Sequence, residues 1–280
     1  MDYLYYPGCS LEGTAMEYDL STRALCHALG LGLTQIEDWT CCGATAAEAM
    51  DELLACALPA RNLALAQKMD TGRDILVPCS ACYLNLKSAA QAVDTDAGLR
   101  GRVNRLLARE NLCLGDFVRV RHLLDVLCRD VDVTDVAKAA DNCMADLVIA
   151  PYYGCQCLRP FTEFDDPEQP RSMDALIHAT GARVLDWDMG GACCGASSAG
   201  IKPEVGTTLV GRIMDQAAPA HAIVTVCPMC QMNLERFQTR PIPVLFLPQF
   251  LGLAMGLPAK SLGCDLNLSD IRSIVSRVAP

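Results

Sequence analysis

The sequence predicts an α/β protein of two duplicated domains, each a small parallel sheet flanked by helices, related by pseudo-two-fold symmetry. Short apolar runs alternate with helical segments in both halves of the chain, which is typical of parallel α/β sheets. One set of cysteine motifs occurs twice in the same order, and such internal repetition indicates duplication. The length of 280 residues suits two domains of roughly 140 residues each.

The first half of the chain contains four short apolar runs that we predict to be strands. They lie at 4–6, 33–36, 75–77 and 118–120. Helical spacing or Ala- and Leu-rich composition predicts helices at 18–29, 46–68 and 122–127. A further helix should begin near Cys79, and Pro59 should divide 46–68 into two abutting helices. The polar stretch 95–101 is predicted to be a loop.

The same pattern restarts after a linker that we predict at 130–146, where the composition changes. We therefore expect an N-terminal domain at 1–135 and a C-terminal domain at 145–280. Strands are predicted at 147–150, 184–185, 223–226 and 244–247. Helices are predicted at 173–180, 205–217 and 248–255, and the acidic, proline-bearing stretch 161–171 is predicted to be a loop.

Three cysteine motifs follow the first three strands of each half. A single cysteine comes first, then Cys-Cys-Gly, then Cys-x-x-Cys. The first set is Cys9, Cys41, Cys42, Cys79 and Cys82, and the second set is Cys155, Cys193, Cys194, Cys227 and Cys230. Because the carboxyl ends of parallel strands meet at one edge of a sheet, we expect five thiols to gather in each half.

The overall composition restricts the classes of function. The net charge of −10 disfavours nucleic acid or an anionic membrane surface as the main partner, and no apolar run is long enough to span a bilayer. No signal peptide is visible, so we expect a cytoplasmic protein. Clustered cysteines in a reducing compartment bind metal more often than they form disulfides, and the chain has 17 cysteines. None of the four histidines lies inside a cysteine motif, so we expect ligation by thiolates alone.

The number of thiols in each half favours one kind of metal centre. Adjacent cysteines such as Cys41 and Cys42 are poorly placed for a disulfide. A structural zinc site closes with four ligands, whereas iron–sulfur clusters are the usual partners of several clustered thiolates. The five thiols therefore indicate an iron–sulfur cluster in each half, and a pair of zinc sites is the alternative.

The doubled motifs resemble those of the cysteine-rich CCG domain family, and the length and domain order are similar to the B subunits of heterodisulfide reductases. The resemblance covers nearly the whole chain and includes all ten expected cysteines. It implies that each half binds a non-cubane [4Fe-4S] cluster through its set of five cysteines.

The resemblance also implies an activity and partners. The two clusters would face one another across the domain interface and split a disulfide substrate, or oxidise thiols in reverse. Two electrons are needed for a disulfide, and each cluster would supply one. Electrons would arrive through a small ferredoxin-like [4Fe-4S] subunit linked to a flavin subunit. The alternatives are an electron-transfer CCG subunit of a lactate-, glycolate- or quinone-linked oxidoreductase without its own substrate site, and a zinc-stabilised scaffold.

Other residues near the motifs have weaker interpretations. The cysteines outside the repeat are expected to be buried apolar residues; they are Cys26, Cys56, Cys113, Cys128, Cys143, Cys157 and Cys264. Basic groups near a motif could bind an anionic substrate; they are Lys87, Arg159, Lys202 and Arg236. We expect Asn85 and Asn233 to brace the helix after Cys-x-x-Cys, and Trp39 and Trp187 to shield the clusters from water.

Overall fold

The chain forms two compact units, each built on a four-stranded parallel sheet. The computed structural model describes residues 1–44, 46–70, 72–116, 118–140 and 142–277. Unit 1 contains 1–9 and 31–123, and unit 2 contains 10–30 and the chain from 124 onward. The domains at 1–135 and 145–280 describe the two sequence repeats and stay a prediction. The structure groups 10–30, which lies within the first repeat, with unit 2.

The two sheets have the same strand order, which confirms the predicted α/β fold of duplicated domains. The strands of unit 1 are β1 (Asp2–Tyr5), β2 (Gly32–Gln35), β3 (Ile75–Val77) and β4 (Val120–His122). Those of unit 2 are β5 (Val148–Tyr152), β6 (Arg183–Val184), β7 (Ala222–Thr225) and β8 (Val244–Phe246). The orders are β2-β1-β3-β4 and β6-β5-β7-β8, and all neighbours are parallel. The central strands β3 and β7 are fully buried, as their apolar sequences predict.

Helices cover the sheets. Those up to the end of unit 1 are α1 (Met16–Ala28), α2 (Glu52–Met69), α3 (Ser80–Thr95) and α4 (Ala97–Leu107), with a 3₁₀ turn at Ala108–Glu110. The later helices are α5 (Leu123–Arg129), α6 (Val133–Ala140), α7 (Asp174–Ala179), α8 (Ala196–Ala199), α9 (Pro203–Gln216), α10 (Pro228–Phe237), α11 (Leu247–Ala254) and α12 (Arg272–Val275). No helix in these described ranges combines the length and the apolar composition that crossing a membrane requires.

Two local predictions are wrong. Helix α2 continues through Pro59 instead of breaking there, because its buried face (Ala60 and Leu63 among it) packs on α3 and α4 and outweighs one lost backbone hydrogen bond. The stretch predicted as a loop at 95–101 contains the start of α4, whose first turn is capped by the Asp96 carboxylate accepting from Leu99 N–H. The linker at 130–146 stays a prediction, and this stretch contains α6.

The end of β4 differs from the prediction in a way that matters below. The sequence predicts a strand over 118–120 and a helix from His122. In the structure His122 is the last residue of β4 and pairs with Val77 of β3, and α5 begins one residue later. Strand β3 contains the β-branched residues Ile75 and Val77, which favour strand structure. Because Val77 pairs with His122, β4 continues to His122.

Candidate metal centres

All ten cysteines of the two predicted sets lie just beyond the carboxyl ends of strands. In unit 1, Cys9 follows β1, Cys41 and Cys42 follow β2, and Cys79 and Cys82 follow β3. In unit 2 the corresponding cysteines follow β5, β6 and β7. The first and third motifs of each unit follow neighbouring strands, β1 and β3 or β5 and β7. The strand order reverses between these two strands, and ligands of open parallel sheets usually bind at the carboxyl ends of such a pair.

The thiols of unit 1 approach one another in pairs. The Sγ atoms of Cys42 and Cys82 are 3.3 Å apart, and those of Cys9 and Cys41 are 3.8 Å apart. Cys42, Cys79 and Cys82 are buried, whereas Cys9 and Cys41 are exposed. The set therefore has a buried floor of three thiols and an exposed rim of two.

Unit 2 repeats this arrangement. The Sγ atoms of Cys194 and Cys230 are 3.7 Å apart, and Cys155 hydrogen-bonds Cys193. Cys194, Cys227 and Cys230 are buried, Cys193 is exposed and Cys155 is half-buried. The same floor and rim are present in both units.

The second cysteine motif is held by equivalent hydrogen bonds in the two units. Tyr6 donates its hydroxyl to Thr40 O at 2.6 Å, and Tyr152 donates to Ala192 O at 2.7 Å. Thr40 and Ala192 each precede a Cys-Cys pair. The Gly43 and Gly195 amides donate to the thiols of Cys41 and Cys193, at 3.4 and 3.3 Å.

The two asparagines brace the Cys-Cys-Gly loop from the helix that follows Cys-x-x-Cys. Asn85 Nδ2 donates to Cys42 O at 3.2 Å, and Asn233 Nδ2 donates to Cys194 O at 2.6 Å. Both side chains are buried. Each asparagine therefore ties two cysteine motifs of one unit together.

Sequence reasoning missed the role of the two tyrosines. Each lies three residues before the first cysteine of its set, and that spacing is a signal that both halves share. Trp39 packs edge-on against Tyr6 with ring centroids 5.3 Å apart, and Trp187 lies 6.4 Å from Tyr152. The tryptophans are half-buried beside the tyrosines.

Burial and hydrogen bonding set the charge of the thiols. Hydrogen bonds with Cys41 and Cys82 lower the pKa of Cys42, and a hydrogen bond with Cys230 lowers the pKa of Cys194. The pKa values of Cys82 and Cys230 are raised by the same contacts. These contacts favour the thiolate forms of Cys42 and Cys194, and a hydrogen bond with Cys155 also lowers the pKa of Cys193 to about 6. Metal binding must displace the protons that other ligands carry.

The thiols affect the pKa values of the two tyrosines. Burial and then the charge of the nearby cysteines raise the pKa of Tyr6, and the same causes raise that of Tyr152. Four cysteines of one set act on each hydroxyl. Both hydroxyls therefore stay protonated and act as hydrogen-bond donors.

The residues present fit a thiolate-bound cluster. Five cysteine side chains at one edge of a sheet are the donor type that iron–sulfur clusters use. Glycines lie against the floor of each set, because a Cβ built on Gly8 would be 2.7 Å from Cys82 Sγ, and one on Gly154 would be 2.7 Å from Cys230 Sγ. Within the described residues no group of three or more Cys, His, Asp or Glu side chains is arranged to hold a metal ion.

Other candidates from the sequence have structural contacts. Arg159 donates to Gly191 O and pairs with Glu168. Lys87 lies over the Tyr83 ring at 5.3 Å, and Arg236 lies over the Phe237 ring at 5.1 Å. Lys202 is exposed at the start of α9.

The cysteines outside the two sets differ in burial. Cys157 is buried and its thiol donates to Tyr153 O at 3.2 Å. Cys26 is also buried, Cys113 is exposed, and the others are half-buried; these are Cys56, Cys128, Cys143 and Cys264.

Comparison with known proteins defines the class. The family described as "Cysteine-rich domain", CCG, matches residues 3–87 and 149–235, and these two matches contain all ten cysteines of the repeated sets. The chain therefore belongs to the CCG cysteine-rich domain family.

Relatives match over nearly full length. The chain is 34% identical to the 8-methylmenaquinol:fumarate reductase membrane anchor subunit of Wolinella succinogenes, over 96% of this chain and 97% of that protein. It is 28% identical to the B-type subunit of the ferredoxin/F(420)H(2)-dependent CoB-CoM heterodisulfide reductase of Methanosarcina acetivorans, over 94% and 92%. It is also 28% identical to a protein of Archaeoglobus profundus described as similar to heterodisulfide reductase B subunits, over 99% and 97%.

One solved structure shows the same fold. A hypothetical protein from Helicobacter pylori superposes with a TM-score of 0.74 at 14% identity. The match covers 96% of this chain and 52% of that chain, so the present chain spans about half of it.

Proposed function

We propose that this chain is the catalytic iron–sulfur subunit of a heterodisulfide reductase-like complex and that it holds two non-cubane [4Fe-4S] clusters. One observation carries the proposal: the same five-thiol set, held by the same tyrosine and asparagine, is present at the carboxyl edge of both sheets. The proposed ligands are Cys9, Cys41, Cys42, Cys79 and Cys82 in unit 1, and Cys155, Cys193, Cys194, Cys227 and Cys230 in unit 2.

The reaction we propose takes two electrons and two protons. A disulfide accepts them, its S–S bond breaks, and two thiols are released. Iron–sulfur clusters, when bound, exchange single electrons, so the duplicated sets match the two-electron stoichiometry. The names of the heterodisulfide reductase relatives support this chemistry.

The buried and the exposed thiols of each set have different roles in the proposed reaction. The three buried thiols of each set exclude water from one side of the centre. The exposed Cys9 and Cys41, and Cys193 with the half-buried Cys155, leave the other side open to a reactant. The Cys-Cys-Gly loop of each unit is held by hydrogen bonds from one tyrosine and one asparagine, Tyr6 and Asn85 in unit 1 and Tyr152 and Asn233 in unit 2. These bonds fix the position of the exposed thiol in each Cys-Cys pair.

The proposal includes partner subunits. The relatives are subunits of reductase complexes, and a chain that binds only one-electron centres needs a source of electrons. We propose a small ferredoxin-like [4Fe-4S] subunit and a flavin subunit in that role. Thiolate ligands suit a reducing compartment, which supports a cytoplasmic location.

A second candidate function has its own support. The relative at 34% identity is named a subunit of an 8-methylmenaquinol:fumarate reductase. The chain could therefore pass electrons in a quinone-linked reductase and have no substrate site of its own. Both candidates require the two centres. They differ in whether this chain itself binds and reduces a disulfide.

One experiment separates these candidates. Protein purified without oxygen is assayed with a reduced viologen dye and the mixed disulfide of coenzyme M and coenzyme B. Disulfide-dependent oxidation of the dye that releases two thiols per two electrons is the expected result. Reduction of both centres by the dye without any disulfide-dependent oxidation would reject the first candidate in favour of the second.

Single-centre variants test the two-centre mechanism. Cys42→Ala or Cys194→Ala should remove one cluster, leave the other visible by its absorbance, and abolish turnover. Cys113→Ala is the matched control, since Cys113 is an exposed cysteine outside both sets. Full disulfide reduction by either single-centre variant would contradict the mechanism.

A further inference from the structure

The two duplicated sets differ in the residue that ends the fourth strand of each sheet. His122 ends β4 and pairs with Val77, which lies two residues before Cys79. Phe246 ends β8 and pairs with Thr225, which lies two residues before Cys227. The strand register therefore makes His122 and Phe246 equivalent, and an imidazole in unit 1 corresponds to a phenyl ring in unit 2.

The imidazole of unit 1 belongs to a buried polar pair. His122 is fully buried, and its Nε2 lies 3.2 Å from Ser80 Oγ. Ser80 directly follows Cys79 and is the first residue of α3. The Tyr83 ring packs edge-on against the imidazole, with centroids 5.4 Å apart. The pair thus lies one peptide away from a proposed cluster ligand.

Unit 2 has apolar groups at the equivalent positions. Pro228 follows Cys227 where Ser80 follows Cys79. The Phe246 ring is stacked on Tyr18 with centroids 4.0 Å apart and an interplanar angle of 3°. The Tyr18 hydroxyl donates to Val226 O at 3.0 Å. Neither the serine hydroxyl nor the imidazole of unit 1 has a counterpart here.

The residue after the last cysteine also differs. Gln231 follows Cys230 and donates its Nε2 to the buried Glu17 carboxyl at 3.1 Å. Unit 2 therefore has a Gln231–Glu17 pair at its Cys-x-x-Cys helix, whereas unit 1 has Tyr83 at the position of Gln231.

The reduction potential of an iron–sulfur centre depends on nearby hydrogen bonds, net charge and solvent exposure. Reduction adds negative charge, which polar hydrogen-bonding groups stabilise and apolar groups such as Pro228 and Phe246 do not. We propose that Ser80 and His122 are positioning residues that raise the reduction potential of the centre held by Cys9, Cys41, Cys42, Cys79 and Cys82 above that of the second centre. The centre of unit 1 then accepts an electron first. This inference rests on the proposed function only in requiring that both centres are present.

The test measures the potential of unit 1 alone. In protein carrying Cys194→Ala, which keeps only the centre of unit 1, an anaerobic dye titration is followed by electron paramagnetic resonance. His122→Phe copies the residue of unit 2 and should lower the reduced-to-oxidised ratio at a fixed ambient potential about tenfold, which is about 59 mV for one electron. Ser80→Ala should shift the potential in the same direction.

Companion variants distinguish a local effect from a general one. The double variant of Ser80→Ala and His122→Phe should shift the potential by less than the sum of the single changes, because both remove one hydrogen-bonded pair. His122→Gln keeps a polar partner for Ser80 and should retain most of the wild-type potential. His178→Phe changes a histidine on α7 and should leave the potential unchanged.

Each outcome decides the proposal. An unchanged potential in His122→Phe, with iron and sulfide retained, overturns it. If His122→Phe does not retain iron, Ser80→Ala decides in the same way. Equal potentials for the two centres of the wild-type protein also overturn it. Absence of iron and sulfide from the wild-type protein instead refutes the proposed function, and the inference falls with it.

Discussion

Gly154 shows how closely the backbone approaches a proposed cluster ligand. It has a φ of +71°, and a Cβ there would lie 2.7 Å from Cys230 Sγ. Gly154→Ala should therefore displace the Cys230 thiol and remove the centre of unit 2, which lowers the iron content by about half if two equal clusters are bound. Iron and sulfide assays on anaerobically purified protein measure this loss.

Gly256 provides a matched control for Gly154. It has a φ of +75°, and its absent side chain would meet nothing within 4 Å. Gly256→Ala therefore incurs the same left-handed strain, about 1–2 kcal/mol, without touching a thiol. Equal iron loss in both variants would mean that backbone strain and not the close approach to Cys230 disturbs the centre.

At the scale of residues, the sequence located the thiols better than their supports. Repeated spacing singled out ten cysteines, and the structure places each of them after a strand of one of the two sheets; their role as cluster ligands stays a prediction. It predicted that Asn85 and Asn233 brace a helix, and the structure adds that their partners are Cys42 O and Cys194 O. It assigned no role to His122, because only the register of β4 with β3 brings that side chain beside Ser80.

At the scale of elements, α1 is part of unit 2 although it follows β1 of unit 1. Tyr18 of this helix stacks on Phe246 and donates to Val226 O. Tyr18→Ala should destabilise unit 2 by about 3 kcal/mol or more, as for other large aromatic truncations in a core. Tyr18→Phe keeps the stacked ring and should cost only about 1 kcal/mol for the lost hydrogen bond.

Denaturant unfolding of the two variants checks this packing. Both midpoints are compared with that of the wild-type protein under the same anaerobic conditions. Similar losses for Tyr18→Ala and Tyr18→Phe would contradict a main contribution from the stacked ring and would assign the stability to the hydroxyl.

The buried carboxyl of Glu235 on α10 makes unit 2 sensitive to pH. Burial raises its pKa above the ordinary value of 4.5, although Ser269 donates to it from both N and Oγ. Above pH 4.5 the unfolded chain ionises first while the folded protein keeps the proton. Stability should therefore fall as the pH rises from 4.5 to the folded pKa, and then stay level.

Glu235→Gln tests this dependence. The free energy of unfolding in urea, measured from pH 4 to 8, should fall less steeply with pH in the variant than in the wild-type protein. Glu204→Gln, at an exposed position in the first turn of α9, is the control and should leave the slope unchanged. Parallel curves for Glu235→Gln and the wild-type protein would show that Glu235 does not cause the dependence.

The errors in predicting elements have local causes. Pro59 is compatible with α2 because tertiary packing of a buried face can outweigh one missing hydrogen bond. The start of α4 was missed because the junction between α3 and α4 is polar and has the composition of a loop. Asp96 is both the C-cap of α3 and the N-cap of α4. Strands β3 and β7 were predictable because short, mainly apolar and β-branched runs suit central parallel strands.

At the scale of the whole molecule, two sheets of the same order carry two sets of five thiols. Duplication was readable from sequence because the three cysteine motifs recur in the same order in both halves. The grouping of 10–30 with unit 2 was not readable, since a helix that connects two strands of one sheet in sequence gives no sign of which unit it packs against.

The central claim is that the chain binds two four-iron clusters. The most direct measurement is the content of iron, acid-labile sulfide and zinc per chain in protein purified without oxygen. About eight irons with matching sulfide are predicted, four for each set of five cysteines. One or two zinc ions per chain with no sulfide would contradict the claim and would make the protein a zinc-stabilised scaffold with the same fold.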